Sequence, residues 1–293
     1  MSDESHTTMT VLGLFVYPIK GCAGVSLQTS QVDAFGLAGD RRWMVADPSG
    51  EFLSQRELPR LALISPRPSP GDGQPADGLV IDAPGMPSFA LAADSARPVT
   101  AWCWDDRCAA FDEGDAAATW FSTFLGRPVR LLRFDDARPR HADARWAGGR
   151  AAMPGSFSRF SDGFPLLLLS QPSVDALNVR LHARGVEPVG VERFRPNLVV
   201  SADHAHEEDA LESLTDGTVT LRRVKPCARC QVIEVDQRAG VAQAPGSLLD
   251  VLAGYRADAS LGGGLAFGQN CIVTAGLGAP MRVGAVLSGR YAL

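Results

Sequence analysis

The chain has no run approaching the roughly 18 consecutive apolar residues of a membrane-crossing helix, so no such span is expected. Its first nine residues are polar and acidic. They lack the basic start and apolar stretch of a secretory signal, and a cytoplasmic protein with no membrane partner is expected. Cationic excess is missing as well: a formal net charge of −5 argues against nucleic acid as a main partner, because phosphate backbones call for a basic field. Cysteine is sparse, with six in 293 residues, too few for a disulfide scaffold. The five histidines show no metal-ligand spacing, and His204 and His206 lie in an acidic stretch with Glu207 and Glu208 that reads as solvated loop. Neither repeats nor low-complexity blocks are present beyond mild alanine richness.

What is there suits a globular protein. At 45% hydrophobic and 21% charged, a chain of this length can bury a sizeable core as one large domain or two that share an interface. Thirty glycines and 20 prolines favour turns and short strands. Strands are expected over residues 11–17, 25–29, 129–134, 165–169, 198–201, 218–224, 231–236 and 271–275. Residues 42–54 read as a hairpin around the turn Asp47-Pro48-Ser49-Gly50, and 65–78 as a surface loop. Helices are expected over 116–125, stopped by Gly126, and after the cap Ser170, with Pro172 in the first turn and Gly185 as the stop. A short helix covers 248–255. The polar, arginine-rich stretch 135–155 separates two regions, 9–135 and 150–293. The pattern implies a β-barrel-rich α+β architecture.

The Cys227-Ala228-Arg229-Cys230 spacing has several uses. It is read as a tight loop between two strands. Spacing alone leaves open a zinc half-site, a redox dithiol, a thiolate given to another metal, and plain packing. Zinc lacks two further ligands in any matching knuckle, and a thioredoxin-like site would open a helix. A single thiolate near Lys225 and Arg229 fits best, since neighbouring cations favour the anionic sulfur. Three further segments each put a cation at a strand end: Lys20 in YPIKGC, Arg41 in GDRRW, and Arg195 in FRPN before the buried run from Leu198. Converging Lys and Arg beside turn amides form a phosphate cradle. Individually, each reads equally well as a surface charge. Cys22 and Cys271 read as buried small apolar residues, and Trp102-Cys103-Trp104 as packing between the two regions.

Taken in order, YPIKGC, GDRRW, Gln55-Arg56-Glu57 with Pro59-Arg60-Leu61, FSDGFPLLLLS, FRPNLVV, KPCARC with Val235-Asp236 and Gly240, and Phe267-Gly268-Gln269 resemble the MOSC superfamily. The likeness spans nearly the whole chain, with a MOSC N-terminal β-barrel region over 9–135 and a MOSC domain over 150–293, and is strongest to the mitochondrial amidoxime-reducing component and its bacterial relatives. The resemblance implies a molybdenum cofactor, a metal held by the dithiolene of a phosphate-bearing pterin, with Cys230 as the protein's metal ligand. It implies cofactor contacts at Lys20, Arg41, Arg195 and Asn197, with Arg229 beside the ligand cysteine. Gly21 stands where serine is common, and Asp162-Gly163-Phe164 replaces an Asp-Thr-Ser run, so the backbone amides of Gly21 and Gly163 take over those contacts. Asp162 then reads either as a proton relay near the metal or as a turn-forming residue, and Cys227 as a residue that shapes the loop.

The implied activity is reduction of N-hydroxylated small molecules such as amidoximes, hydroxylamines and hydroxylated bases. The family also carries an association with pyridoxal phosphate binding. The chain stops at Leu293 without a cluster-type cysteine run, so a separate flavin or iron–sulfur protein is expected to supply electrons. Two other readings remain: a sulfur carrier with a persulfide on Cys230, and a non-catalytic cofactor-storage protein.

Overall fold

The computed structural model describes residues 6–68, 78–243 and 247–292. In the first strand, His6–Val16, apolar side chains point inward with period 2 on either side of an irregularity between Val11 and Gly13: Met9 and Val11 before it and Leu14 and Val16 after it are fully buried, while Thr8 and Leu12 face out. That period-2 pattern lets the strand serve as one stave of a closed barrel. Around the ring run Leu166–Ser170, Leu198–Val200, His6–Val16, Val286–Tyr291, Leu211–Thr215, Thr220–Ala228 and Gly264–Ala275, and the last pairs back onto the first. Only the pairing of Leu166–Ser170 with Leu198–Val200 is parallel within the ring. Closure leaves no unpaired edge to the ring. The barrel interior holds Leu166, Leu168, Leu198, Val200, Leu221, Val273 and Leu287 beside the residues of the first strand.

A second sheet, from the earlier part of the chain, runs Pro98–Cys103, Asp106–Asp112, Arg130–Phe134, Trp43–Ala46 and Ile19–Lys20. The helix Asp115–Leu125 covers a core that includes Trp43, Leu61 and Leu131 with Ala117, Trp120, Phe121 and Phe124, the i, i+3, i+4, i+7 stripe of an amphipathic helix. Gly126 ends that helix in the left-handed region, its N–H bonded to Ser122 O. Ser170 caps the helix Gln171–His182 by accepting from Ser173 N, and Val174, Leu177 and Leu181 are buried beneath it. The hairpin at Asp47 forms, with Gly50 N bonded to Asp47 O and Leu53 N to Val45 O.

Four expectations need correction. Residues 231–236 are not a strand: Gln231–Glu234 is a 3-10 turn, followed by the two-residue strand Val235–Asp236. The cause is Glu234, whose buried carboxylate accepts from Leu248 N, Leu249 N and Ser247 Oγ and so draws the chain into a turn that caps the helix Leu248–Ala253. The expected loop 65–78 begins and ends in strand, at Ser65–Pro68 and Gly78–Asp82, while 69–77 lie outside the described residues. The acidic stretch at 204–208 is exposed at His204, as expected, but its two glutamates are buried. Glu208 is fully buried and accepts from Ser170 N, Ser170 Oγ and Ser173 Oγ, and Glu207 accepts from Thr7 Oγ1 and Tyr291 Oη. Finally, Trp102 and Trp104 are 37% and 41% exposed on a hairpin, and only Cys103 between them points into the core.

Candidate functional site

Strand geometry sets the cationic wall of one cleft. Ile19–Lys20 pairs in parallel with Trp43–Ala46, and alternation buries Ile19 in the core while turning Lys20 the other way. Lys20 Nζ donates to Phe160 O at 2.9 Å and forms an ion pair with Asp162. Arg41 and Arg195 both hold left-handed backbone, φ 45° and 55°, which is unusual for long side chains and turns each guanidinium toward the same point. They lie over the ring of Tyr17, 4.3 and 4.2 Å from its centroid. Arg41 donates to Asp40 Oδ2 at 2.6 Å, Asn197 Oδ1 at 3.1 Å and Arg195 O at 3.2 Å. Arg195 makes one long contact, 3.4 Å to Gln237 Oε1, and its Nη2 is buried without a partner. Burial pushes the Arg195 guanidinium down to about 10, with nearby Arg41 adding to the effect and Tyr17 opposing it, so it stays cationic at neutral pH.

The sulfur wall comes from the end of the strand Thr220–Ala228. Cys227 is half-buried within that strand and Cys230 is exposed just before the 3-10 turn, so the pair sits at a strand-to-turn junction and not between two strands. Burial raises the Cys227 thiol, with Arg229 and Lys225 opposing and Asp162 and Cys230 reinforcing the rise. Lys225 turns away, its Nζ 5.3 Å from the Trp146 ring centroid. Arg229 points its fork into the fold: Nε and Nη2 donate to Phe267 O at 2.8 and 2.6 Å, and Nη1 to Phe194 O at 3.0 Å. It clamps the cysteine segment in place and has few donors left for a ligand. Asp162 lies between the two walls with 74% of its side chain open to solvent. Crowding by the cleft disfavours its charge, but the Lys20 ammonium, the Trp104 N–H and Arg41 outweigh this and hold the carboxyl well below the usual carboxylate range. Solvent on its open side weakens that shift without reversing it.

All nine residues singled out from the sequence, Lys20, Gly21, Arg41, Asp162, Gly163, Arg195, Asn197, Arg229 and Cys230, line this one cleft. Asn197 supports it from below: Oδ1 accepts from Leu167 N and Arg41 Nη1, while Nδ2 donates to Phe15 O, tying two barrel strands to the cationic wall. Sequence reading missed the amide pair Gln55 and Gln237. They exchange hydrogen bonds of 3.0 and 2.8 Å, and Gln55 Nε2 also holds Gly21 O at 2.6 Å. Gln55 stands in a quoted motif, which was the available signal. Tyr17, Phe52, Arg56, Trp104 and Arg193 were likewise missed as part of the site; all but Tyr17 line the cleft, and Tyr17 carries its two guanidiniums.

The donor set fits a phosphate-bearing group that brings its own sulfur ligands to a metal. Arg195 keeps a buried, unpartnered guanidinium nitrogen at the cationic end. At the other end an exposed thiol offers a single protein ligand, and no group of three or more His, Cys, Asp or Glu among the described residues is arranged to hold a metal alone. Barrel, cationic cleft and exposed cysteine together define a β-barrel protein with a thiol facing converged cations, and the comparisons give its family. Residues 8–128 match the MOSC N-terminal beta barrel domain and 157–279 the MOSC domain. The chain is 33% identical to human mitochondrial amidoxime-reducing component 1, over 79% of this chain and 68% of that protein. Against rat mitochondrial amidoxime reducing component 2 the figures are 31%, 79% and 68%. It is 30% identical to human molybdenum cofactor sulfurase, over 78% of this chain but 27% of that longer protein. The chain belongs to the MOSC family, among its members that carry the MOSC N-terminal β-barrel domain.

Proposed function

We propose that this chain is a molybdenum-cofactor-dependent oxidoreductase that reduces N-hydroxylated small molecules in the cytoplasm, with electrons from a separate flavin or iron–sulfur protein. The observation that carries this reading is one cleft in which the exposed Cys230 thiol faces the cations Lys20, Arg41 and Arg195. Cys230 is the metal ligand, and Lys20, Arg41 and Arg195 hold the phosphate, with Asn197 and Tyr17 fixing the two arginines. The bound cofactor supplies two-electron chemistry in which an N–OH oxygen leaves as water with two protons. Asp162, paired with Lys20, is ionised at neutral pH, so in this arrangement it accepts protons and does not donate them. Backbone at Gly21, held through its carbonyl by Gln55, and at Gly163 lets a ligand approach closely.

The test pairs wild type with Cys230→Ala, both produced in a host that makes the cofactor. Stoichiometric molybdenum and pterin in the wild type are expected, with amidoxime reduction from an artificial donor and loss of metal and turnover in the variant. An alanine variant that keeps its metal and rate would sink the assignment. A second reading, sulfur carriage as a persulfide on Cys230, is favoured by the thiol's exposure and by the likeness to the sulfurase. Cyanide-labile sulfur on Cys230 in protein free of pterin would select it.

A further inference from the structure

The rim of the cleft beside Asp162 carries an aromatic plate. Trp104 sits in the two-residue turn between the paired residues Cys103 and Asp106, with φ 58°. That backbone suits glycine, and a bulky residue held there marks a position whose side chain is needed. The indole does not escape into solvent from this exposed turn. Its Nε1 donates to Asp162 Oδ1 at 3.0 Å, and its ring tilts against Phe52 at 4.9 Å. Over it lies the guanidinium of Arg56, 4.6 Å from the ring centroid. Arg56 is exposed and weakly held. Its Nε reaches Ser54 Oγ at 3.3 Å, and no carboxylate pairs with it among the described residues. A guanidinium is a flat N–C–N unit, and the same flat N–C–N unit is the head of an amidoxime.

We propose that Trp104 is the docking plate for the planar head of the substrate and that Arg56 is its displaceable cover. In this arrangement the N–C–N plane of an amidoxime or N-hydroxyguanidine stacks on the indole in place of Arg56, and its N–H or O–H donates to Asp162. A hydroxylamine without that plane gains nothing from Trp104. The assignment rests on the reductase reading for its biological meaning but not for its physical content, since binding needs neither electrons nor metal.

The experiment titrates benzamidoxime into the purified protein without reductant, following indole fluorescence or heat, in wild type and three variants. Trp104→Gly should weaken binding roughly tenfold or more while keeping a cooperative thermal transition, because glycine suits the left-handed backbone of the turn. Trp104→Phe should retain most of the affinity. Arg56→Ala should tighten binding several-fold by removing the competitor for the ring face. Wild-type affinity in Trp104→Gly, or weaker binding in Arg56→Ala, overturns the proposal. Absence of molybdenum or turnover would instead sink the reductase reading and leave this binding result standing.

Discussion

At His206 the imidazole packs on Tyr255 and Phe267, with ring centroids 5.7 and 5.8 Å away, and its Nδ1 is buried without a hydrogen-bond partner. Burial, with Arg256 adding charge repulsion, pushes its pKa down to about 4. The unfolded chain therefore binds a proton through a range in which the folded chain does not, from about pH 6.5 down to 4. Stability from this group is complete above pH 6.5 and is lost progressively as pH falls through that window. Glu208, whose carboxyl burial raises, acts with the opposite sign, so the slope of the wild type alone is ambiguous. His206→Asn removes the titration, and asparagine tolerates the left-handed φ of 66°. Its melting temperature should fall less than that of the wild type between pH 7 and pH 5; parallel slopes would refute the assignment. At this scale the sequence was a good guide to the cations of the cleft, because Lys20, Arg41 and Arg195 each stand where a strand ends. It was a poor guide to His206 and to Gln55, because the contacts that define them come from distant residues, Gln237 being 182 positions from Gln55.

Along the strand Gly264–Ala275 the pairing with Thr220–Ala228 slips, from Pro226 opposite Gln269 to Ala228 opposite Ala266. The irregularity lies at Phe267 and Gly268 and turns the carbonyl of Phe267 toward the fork of Arg229, which fixes the segment bearing Cys227 and Cys230. Gly268 makes the turn possible with φ 77°, and a Cβ there would stand 2.8 Å from Leu168 O in the neighbouring stave. Gly268→Ala should therefore cost about 1–3 kcal/mol in chemical denaturation. Gly278, at φ 85° with open space around it, provides the control: Gly278→Ala meets the backbone strain but no neighbour. Equal losses in the two variants would refute the close-approach argument. Element by element, the reading from sequence succeeded where burial has a clean period, as in the helix Asp115–Leu125. It failed at 231–236, where the β-branched run Val232, Ile233 and Val235 is overridden by the carboxylate of Glu234 reaching to Leu248 and Leu249.

In the molecule as a whole, the barrel is completed by chain from both ends. The strand His6–Val16 lies between Leu198–Val200 and Val286–Tyr291, so a stave from the first residues closes a ring whose other six staves follow residue 165. The barrel-rich class was legible from many short strands set off by glycine and proline. This closure was not, because period-2 burial states which face of a strand is inside without naming its partners. Met9, Val11, Leu14 and Val16 are fully buried by that strand, each worth about 1.5–3 kcal/mol and together roughly 6–12 kcal/mol as an upper estimate. A whole domain is stable by only about 5–15 kcal/mol. Residues 150–293 expressed alone should therefore show no cooperative thermal transition and should aggregate through the two strand edges left open. Supplying residues 1–27, which add the strand Val25–Leu27 paired to the same stave, should restore a sharp melt in trans. A monomeric 150–293 fragment that melts cooperatively near the full-length temperature would show that the barrel closes without its first strand, and that the two regions fold independently.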